Sequence, residues 1–571
     1  MNYRDIYNRW RECARETDLA EELLAVETDE DAIKERFCSE LAFGTAGLRG
    51  IIGAGPNRMN VYTVRRATQG LADTVSARYG TGAIAIAYDS RNKSREFARE
   101  CARVLAANGL TAYIYDRLMP TPMLSFAVRE LRAKAGIMIT ASHNPAQYNG
   151  YKAYGADGCQ MTSEDADAVY ARIQKVDVFD GVRLMPFDDG QDKGFIKYID
   201  RQIIERYYDC VKAQRINPDI CERYPIKLVY SPLNGTGNEP VRRILDDIGV
   251  ADIHIVSEQE LPDGDFPTCS YPNPETREAL ALGLELAKEK KADIFIATDP
   301  DCDRAGVAFR GEDGSYRILN GNEIGVLLMW YICSERKANG TLPEHPVAVE
   351  SIVSTALAAE IAKDYGVEMR RVLTGFKYIG EQILLLEQSH EESRFIFGFE
   401  ESCGYLAGSY VRDKDAVLAS MLLCELTARL KGREMTAVDM LYKLFEKYGF
   451  YKNSVESFEF EGLDGKEKMT KVMNGLYDNN PREIALLAVT TVCDYRTQVR
   501  KSVLMGVESP TNLPSADAIE FVLENGASVM VRPSGTEPKM KVYLTAKEHS
   551  EAESDAVLTT LAGAIKTLIG V

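Results

Sequence analysis

Short apolar runs alternate with amphipathic helical stretches along most of this chain, and the alternation starts over twice after its first pass. Residues 83–88 read as a strand, followed by a helix over about 94–108, a strand at 111–115, a helix near 122–133 and a strand at 135–140. A second pass opens at 226–230, continues through a helix near 239–248 and a strand at 252–256, and ends at 293–298. A third begins near 346–353 and ends at 394–397. Strands alternating with helices build layered α/β folds on a largely parallel sheet. Continuous apolar runs of this length fit strands covered on both faces. The C-terminal part differs: 520–523, 528–531 and 541–545 form a strand group closed by a helix over 550–569. Residues 1–40 read as helices, with Leu19, Leu23 and Leu24 at helical spacing.

At 571 residues the chain exceeds one core, and roughly 100–200 residues per domain implies about three to five. Boundaries fall near residues 205, 317 and 450, giving three α/β units (1–205, 206–317, 318–450) and an α+β unit (451–571). The net charge of −18 argues against nucleic acid and anionic membranes as partners. An anionic substrate would therefore need a local basic cluster. The 12 cysteines show neither Cys-x-x-Cys pairs nor zinc spacing, which fits a reducing compartment. The charged start lacks the apolar core of a signal peptide, and the apolar stretch 324–333 is too short to span a bilayer. The expected location is the cytoplasm.

Four apolar runs end in unusual polar loops. In open α/β sheets ligands sit beyond the carboxyl ends of strands, so four such loops can converge on one cleft. The first is Thr140-Ala141-Ser142-His143-Asn144-Pro145, with Lys152 following. A serine hydroxyl needs a base or metal to act as a nucleophile, and His143 and Lys152 are near in sequence. The alternative is a helix cap, since Ser or Asn before Pro is a common helix start. The second loop is Asp299-Pro300-Asp301-Cys302-Asp303-Arg304. Carboxylates at alternate positions of an extended segment point to one side, and hard oxygens suit Mg²⁺ or Mn²⁺. An EF-hand fails because Arg304 and Arg310 occupy its sixth and twelfth places; a solvated acidic turn is the remaining alternative.

The third loop, Gly398-Phe399-Glu400-Glu401-Ser402-Cys403-Gly404, offers Glu400 and Ser402 to adjacent sugar hydroxyls, or is an ordinary acidic turn. The fourth runs Arg532-Pro533-Ser534-Gly535-Thr536-Glu537-Pro538-Lys539. A guanidinium, two hydroxyls, a glycine and an ammonium make a phosphate cradle without the Walker order; a basic turn on a strand edge is the alternative. Gly44 to Gly50 is a further glycine-rich candidate that presents Arg49.

Together these segments resemble the α-D-phosphohexomutase family over about residues 44–545, most closely its branch of phosphoglucomutases and phosphopentomutases. The TASHNP loop with Asn149–Lys152, the DPDCDR loop, FEES and RPSGTEPK carry the resemblance. Supporting matches are 231–237, Thr374-Gly375-Phe376-Lys377 and Asp413-Lys414-Asp415. The resemblance implies a heart-shaped protein of four domains around a central cleft. Ser142 would be phosphorylated in the active form and exchange phosphoryl groups with a sugar monophosphate through glucose 1,6-bisphosphate. Ser142, Asp299, Asp301 and Asp303 would hold Mg²⁺. Lys152 and His143 would assist proton transfer, with Lys414 as the second acid/base. Arg49 and Arg304 would neutralise the moving phosphoryl. Thr374, Gly375, Lys377, Glu400 and Ser402 would meet the substrate. Arg532, Ser534, Gly535, Thr536 and Lys539 would hold the phosphate that does not react. Pro300 and Cys302 stand where the family usually has glycine, which predicts a stiffer loop. Gly404 and Tyr405 stand where some phosphomannomutases carry a histidine.

The main expectation is therefore a phosphoglucomutase acting on a small sugar phosphate, as a monomer or homodimer. Phosphopentomutase, phosphomannomutase and glucose 1,6-bisphosphate synthase are the close alternatives. A metal-dependent phosphatase using Ser142 and a non-enzymatic sugar-phosphate sensor are the distant ones.

Overall fold

The computed structural model describes residues 2–44, 47–460, 465–533 and 539–569, with Lys466 described by its backbone alone. Three α/β sheets repeat one plan. In the first, the order is Leu48–Ile51, Tyr148–Tyr154, Ala135–Ile139, Ala83–Tyr88, Thr111–Ile114 and Ile196–Tyr198. The last four strands run parallel, whereas Tyr148–Tyr154 returns antiparallel beside Ala135–Ile139. The second sheet orders Ala305–Arg310, Ile294–Thr298, Lys227–Ser231 and Asp252–Ile255, with Tyr316–Leu319 added outside. The third orders Gly404–Leu406, Phe395–Glu400, Val347–Ser351 and Glu368–Val372. In every case the strand that carries a candidate loop turns straight back on itself. The three loops are thus hairpin connections at equivalent positions of a repeated unit.

These antiparallel returns are absent from the sequence-based reading of a largely parallel sheet. The strand expected at 394–397 also extends to Glu400, so that carboxylate projects from sheet, not from loop. The central strands Ala135–Ile139 and Ile294–Thr298 are buried along their full length, as continuous apolar runs require. Burying each Ile or Phe there contributes about 1.5–3 kcal/mol.

Helix Ala416–Lys431 is apolar on nearly all sides and threads the centre of the molecule. Asp415 caps it by accepting the N–H groups of Val417 and Leu418 at 2.9 and 3.0 Å. One apolar cluster runs without a break from Ala85 in the first sheet to Tyr451, through the second and third. The C-terminal unit keeps a core of its own, Phe458 to Ile569. Its antiparallel sheet orders Phe450–Glu459, Lys539–Glu548, Ser528–Pro533, Ile519–Leu523, Leu487–Asp494, Val499–Ser502 and Glu508–Pro510, covered by helices Gly465–Asp478 and Glu551–Ile569. Ile352, Val353 and Leu373 of the third unit meet Cys493, Tyr495, Ala518, Met530 and Tyr543 of the fourth in a small separate patch.

Two outcomes follow from this packing. Phe521 is fully buried in the C-terminal core, so Phe521→Ala removes about 3–5 kcal/mol. Calorimetry of the full chain should show one transition moving and the other, owned by the shared core, staying in place. Glu425, on the central helix, accepts from the Ile216 N–H at 3.0 Å and the Tyr331 hydroxyl at 3.1 Å, and burial pushes its carboxyl up to about 7. A raised acid favours the folded state while protonated. Its contribution is complete below its unfolded value of 4.5 and is lost as pH rises through about 7. Thermal melts across that window should show Glu425→Gln with a flatter decline than the native chain.

Candidate active site

Ser142 follows the buried strand Ala135–Ile139 and is itself only 3% exposed. Its φ of +52° lies in the left-handed region that L-residues rarely adopt. Its N–H donates to Thr140 Oγ1 at 2.8 Å. Residues 141–147 make turns and lead into a strand, so Ser142 caps no helix. Its hydroxyl donates to Asp299 Oδ2 at 2.9 Å and lies 3.2 Å from His143 Nδ1. Burial, then Arg304 and Arg49, hold the His143 pKa well below its ordinary value, so the ring is neutral.

The three aspartates are buried, and one oxygen from each lies within 4.8 Å of the others. Asp299 Oδ1 accepts the N–H groups of Asp303 and Arg304 at 3.1 and 3.0 Å. Asp301 Oδ2 accepts from Thr121 Oγ1 at 2.8 Å and Lys152 Nζ at 2.7 Å. Asp303 Oδ2 is flanked by Lys414 Nζ at 3.1 Å and Lys152 Nζ at 3.3 Å. Burial alone would favour neutral forms of all these groups. Around Asp303 the lysines and Arg304 outweigh burial and hold its carboxyl far below the usual range. Burial lowers Lys152 and Lys414 less than their aspartates raise them, so both stay protonated. For Asp299, burial and then Asp303 and Asp301 push the pKa well up.

Three carboxylates this close would repel one another without a cation, yet Lys152 and Lys414 already offset part of that charge. A different observation supports the metal. Asp301 Oδ1 and Asp303 Oδ1 are buried and have no hydrogen-bond partner. An orphaned buried carboxylate oxygen is costly, and two beside Asp299 make a hard-oxygen set that fits a divalent cation.

The Asp loop is clamped through its backbone. Pro300 O accepts from the Thr236 N–H at 2.8 Å and hydroxyl at 2.9 Å. Asp301 O accepts from the Thr121 N–H at 2.9 Å, and Cys302 O from the Ala416 N–H at 3.3 Å. Gly235 packs so closely that a Cβ there would lie 2.5 Å from Pro300 Cα. Cys302 adopts a φ of +51°, which glycine reaches more easily.

Of the remaining candidates, Arg49 donates to Asn144 Oδ1 at 3.0 Å and Arg304 to Glu275 Oε1 at 2.9 Å. Glu400 accepts the Gly375 N–H at 2.7 Å, and Gly375 takes a φ of +112°. Thr374, Lys377 and Arg532 line one cavity of about 450 Å³ between the third and fourth units. Ser402 opens into another of about 530 Å³ with Glu401, Lys541 and Tyr543. Lys539 pairs with Glu459 on the adjacent strand at 2.9 Å. Ser534, Gly535 and Thr536 lie outside the described residues. Sequence reasoning missed Thr121 and Arg91. Thr121 sits in an ordinary Pro-Thr-Pro helix start. Arg91, in Asp89-Ser90-Arg91 beyond a strand, carries no motif of its own, yet its guanidinium reaches the Ser142 and Asn144 carbonyls.

Family models described as phosphoglucomutase/phosphomannomutase domains match the chain in order. The α/β/α domains I, II and III cover residues 40–178, 205–312 and 320–448, and the C-terminal domain covers 471–559. A phosphoglucomutase of Staphylococcus saprophyticus is 36% identical over 94% of this chain and 95% of its own length. One of Staphylococcus haemolyticus is 38% identical over 90% and 91%. Among solved structures, a putative phosphomannomutase from Thermus thermophilus superposes with a TM-score of 0.69 at 22% identity, covering 93% of this chain and all of that one.

Adding Mg²⁺ or Mn²⁺ should raise the melting temperature, by the equivalent of about 2.7 kcal/mol at a hundredfold excess over Kd. Asp303→Asn should abolish that shift, and Mn²⁺ titration followed by electron paramagnetic resonance should show binding lost with it.

Proposed function

Because the chain belongs to the phosphoglucomutase/phosphomannomutase family, we propose that it interconverts glucose 1-phosphate and glucose 6-phosphate through a phosphorylated Ser142. The observation that carries this reading is the Ser142 hydroxyl, buried at a hairpin turn 2.9 Å from Asp299 and 3.2 Å from a neutral imidazole. A serine hydroxyl becomes an effective nucleophile when a base or a metal activates it, and here a base and the candidate metal ligands both lie beside it.

In the forward exchange a sugar hydroxyl forms a new P–O bond as the serine–phosphorus bond breaks. The sugar hydroxyl's proton leaves to a nearby base, and the departing Ser142 oxygen takes up a proton from a neighbouring acid and becomes a hydroxyl again. The bisphosphate then turns over and its other phosphoryl returns to Ser142. Phosphoryl transfer asks the protein for positioning and charge more than for covalent chemistry. His143, neutral beside Ser142, suits proton acceptance. Lys152 and Lys414, held protonated, suit proton donation and neutralisation. Arg49 and Arg304 would face the moving phosphoryl. Mg²⁺, held by Asp299, Asp301, Asp303 and the Ser142 phosphate, would supply further charge neutralisation. Thr374, Gly375, Lys377, Glu400 and Ser402 would read the sugar, and Arg532, Ser534, Gly535, Thr536 and Lys539 the distal phosphate.

The same reading divides the chain near residues 205, 317 and 450, each part contributing one loop. It places the enzyme in the cytoplasm as a monomer or homodimer. No helix among the described residues is long and apolar enough to cross a membrane.

Turnover of glucose 1-phosphate and ribose 1-phosphate, measured side by side with Mg²⁺ and trace glucose 1,6-bisphosphate, tests the reading. A preference for glucose that collapses by at least about 10³-fold in Ser142→Ala is expected. Preference for ribose would move the substrate to pentoses. Release of free phosphate without isomerisation, or indifference to Ser142, would reject the mutase.

A further inference from the structure

One buried cation outside the expected site residues organises the whole serine loop. Arg91 is 3% exposed. Its Nη2 donates to the Ser142 carbonyl at 2.6 Å and to the Asn144 carbonyl. Its Nη1 donates to the carbonyls of Pro145 at 2.9 Å and Tyr148 at 3.1 Å. A single planar group therefore gathers four carbonyls across one turn, which the fork of guanidinium donors allows and a lysine ammonium does not. The ring of Phe266, from the second unit, covers the guanidinium at 4.9 Å. The Asp89 carboxylate lies 3.5 Å from Nε, with its other oxygen occupied by the Arg91 N–H at 3.0 Å and the Ser94 hydroxyl at 2.7 Å.

This grip falls where the backbone is strained. The left-handed conformation of a non-glycine residue costs on the order of 1–2 kcal/mol and persists only when its surroundings hold it. Ser142 is held at both peptide groups, its N–H by Thr140 and its carbonyl by Arg91. The Pro145 carbonyl also accepts the Tyr148 N–H at 3.0 Å, but without Arg91 the buried Ser142 carbonyl would lose the guanidinium that fixes it, and the serine would relax away from Asp299.

We infer that Arg91 is a positioning residue for phosphoryl transfer, fixing the strained Ser142 backbone through the carbonyls of its loop. This rests on the reading of Ser142 as the phosphate carrier. The guanidinium is buried and grips the carbonyls of the serine loop, so its loss should slow the chemical step and spare sugar binding. Displacing a reacting atom by about 1 Å can cost 10²-fold.

The test uses Arg91→Lys, which keeps the charge but not the fork, and Arg91→Gln, which keeps neither. Two quantities are read: kcat and KM for glucose 1-phosphate, and the rate at which glucose 1,6-bisphosphate phosphorylates Ser142, followed by rapid quench and intact mass. The expected result is a fall of about 10²-fold in kcat and in phosphorylation rate for both variants, with KM within about threefold. Circular dichroism and melting curves accompany each. If soluble, folded Arg91→Lys is phosphorylated at the native rate, the inference is overturned. It is equally overturned if both variants fail to fold, because Arg91 then supports the unit and does not aim the serine. Native enzyme that takes no phosphate on Ser142 would instead reject the functional reading itself, a result visible before any variant is made.

Discussion

Three consecutive carbonyls, of Pro300, Asp301 and Cys302, are each taken by a different part of the chain. Thr236 of the second unit holds the first, Thr121 of the first unit holds the second, and Ala416 of the third unit holds the last. The Asp loop is therefore a point at which these three units are fixed to one another through the backbone of a single turn. A backbone bond contributes about 1 kcal/mol net, but an unmade one in this buried setting costs more than that. Shifting any one unit would leave a carbonyl of the loop unsatisfied. That is why the carboxylates stay aimed: the aspartates cannot turn without breaking contacts that also dock the units.

The charge balance of the site follows from the same convergence. The chain as a whole is strongly acidic, yet the loops bring Arg49, Arg91, Lys152, Arg304 and Lys414 to one place. Low dielectric makes each of these charges count for more than it would at the surface. Lys152 comes from the first unit and Lys414 from the third, and both end on Asp303 of the second. Tyr154, two residues beyond Lys152, donates to Asp413 Oδ2 at 2.7 Å and so ties the two lysine-bearing segments together.

Much of this was legible in the sequence. The parallel strands announced themselves because burial on both faces leaves apolar runs that no solvent-facing segment matches. The polar loops stood out against those runs, and the spacing of Asp299, Asp301 and Asp303 already implied hard-cation chemistry. What stayed hidden has physical reasons. Helix Ala416–Lys431 is covered on nearly all sides, so the period of 3.6 that betrays a surface helix is absent. The short return strand Gly404–Leu406 carries too few residues to show alternation. Arg91 acts through backbone carbonyls far along the chain, and a contact to a carbonyl places no demand on the identity of the residue that owns it; Thr121 meets the Asp301 carboxylate and carbonyl from a different unit, a pairing that no local spacing marks. The two lysines that share the oxygens of Asp301 and Asp303 were hidden for a related reason: they come from other units, and nothing in the local sequence joins them to the aspartates.

The hairpin form of the serine loop sets a rule of parity. Lys152 lies opposite Met138 in the antiparallel pair, and Thr140 is still bonded across to Gly150. Side chains on a strand alternate between faces, so the turn at 141–147 can lengthen or shorten while the ammonium stays in the cleft. The few positions between Tyr148 and Lys152 have no such freedom. A single residue gained or lost there would send the ammonium through the sheet to the opposite face and bring Tyr151, now fully buried, or Ala153 toward Asp301. Change in that segment can be accommodated in pairs, so the face on which Lys152 sits is held by the geometry of the pleat as much as by the chemistry of its ammonium.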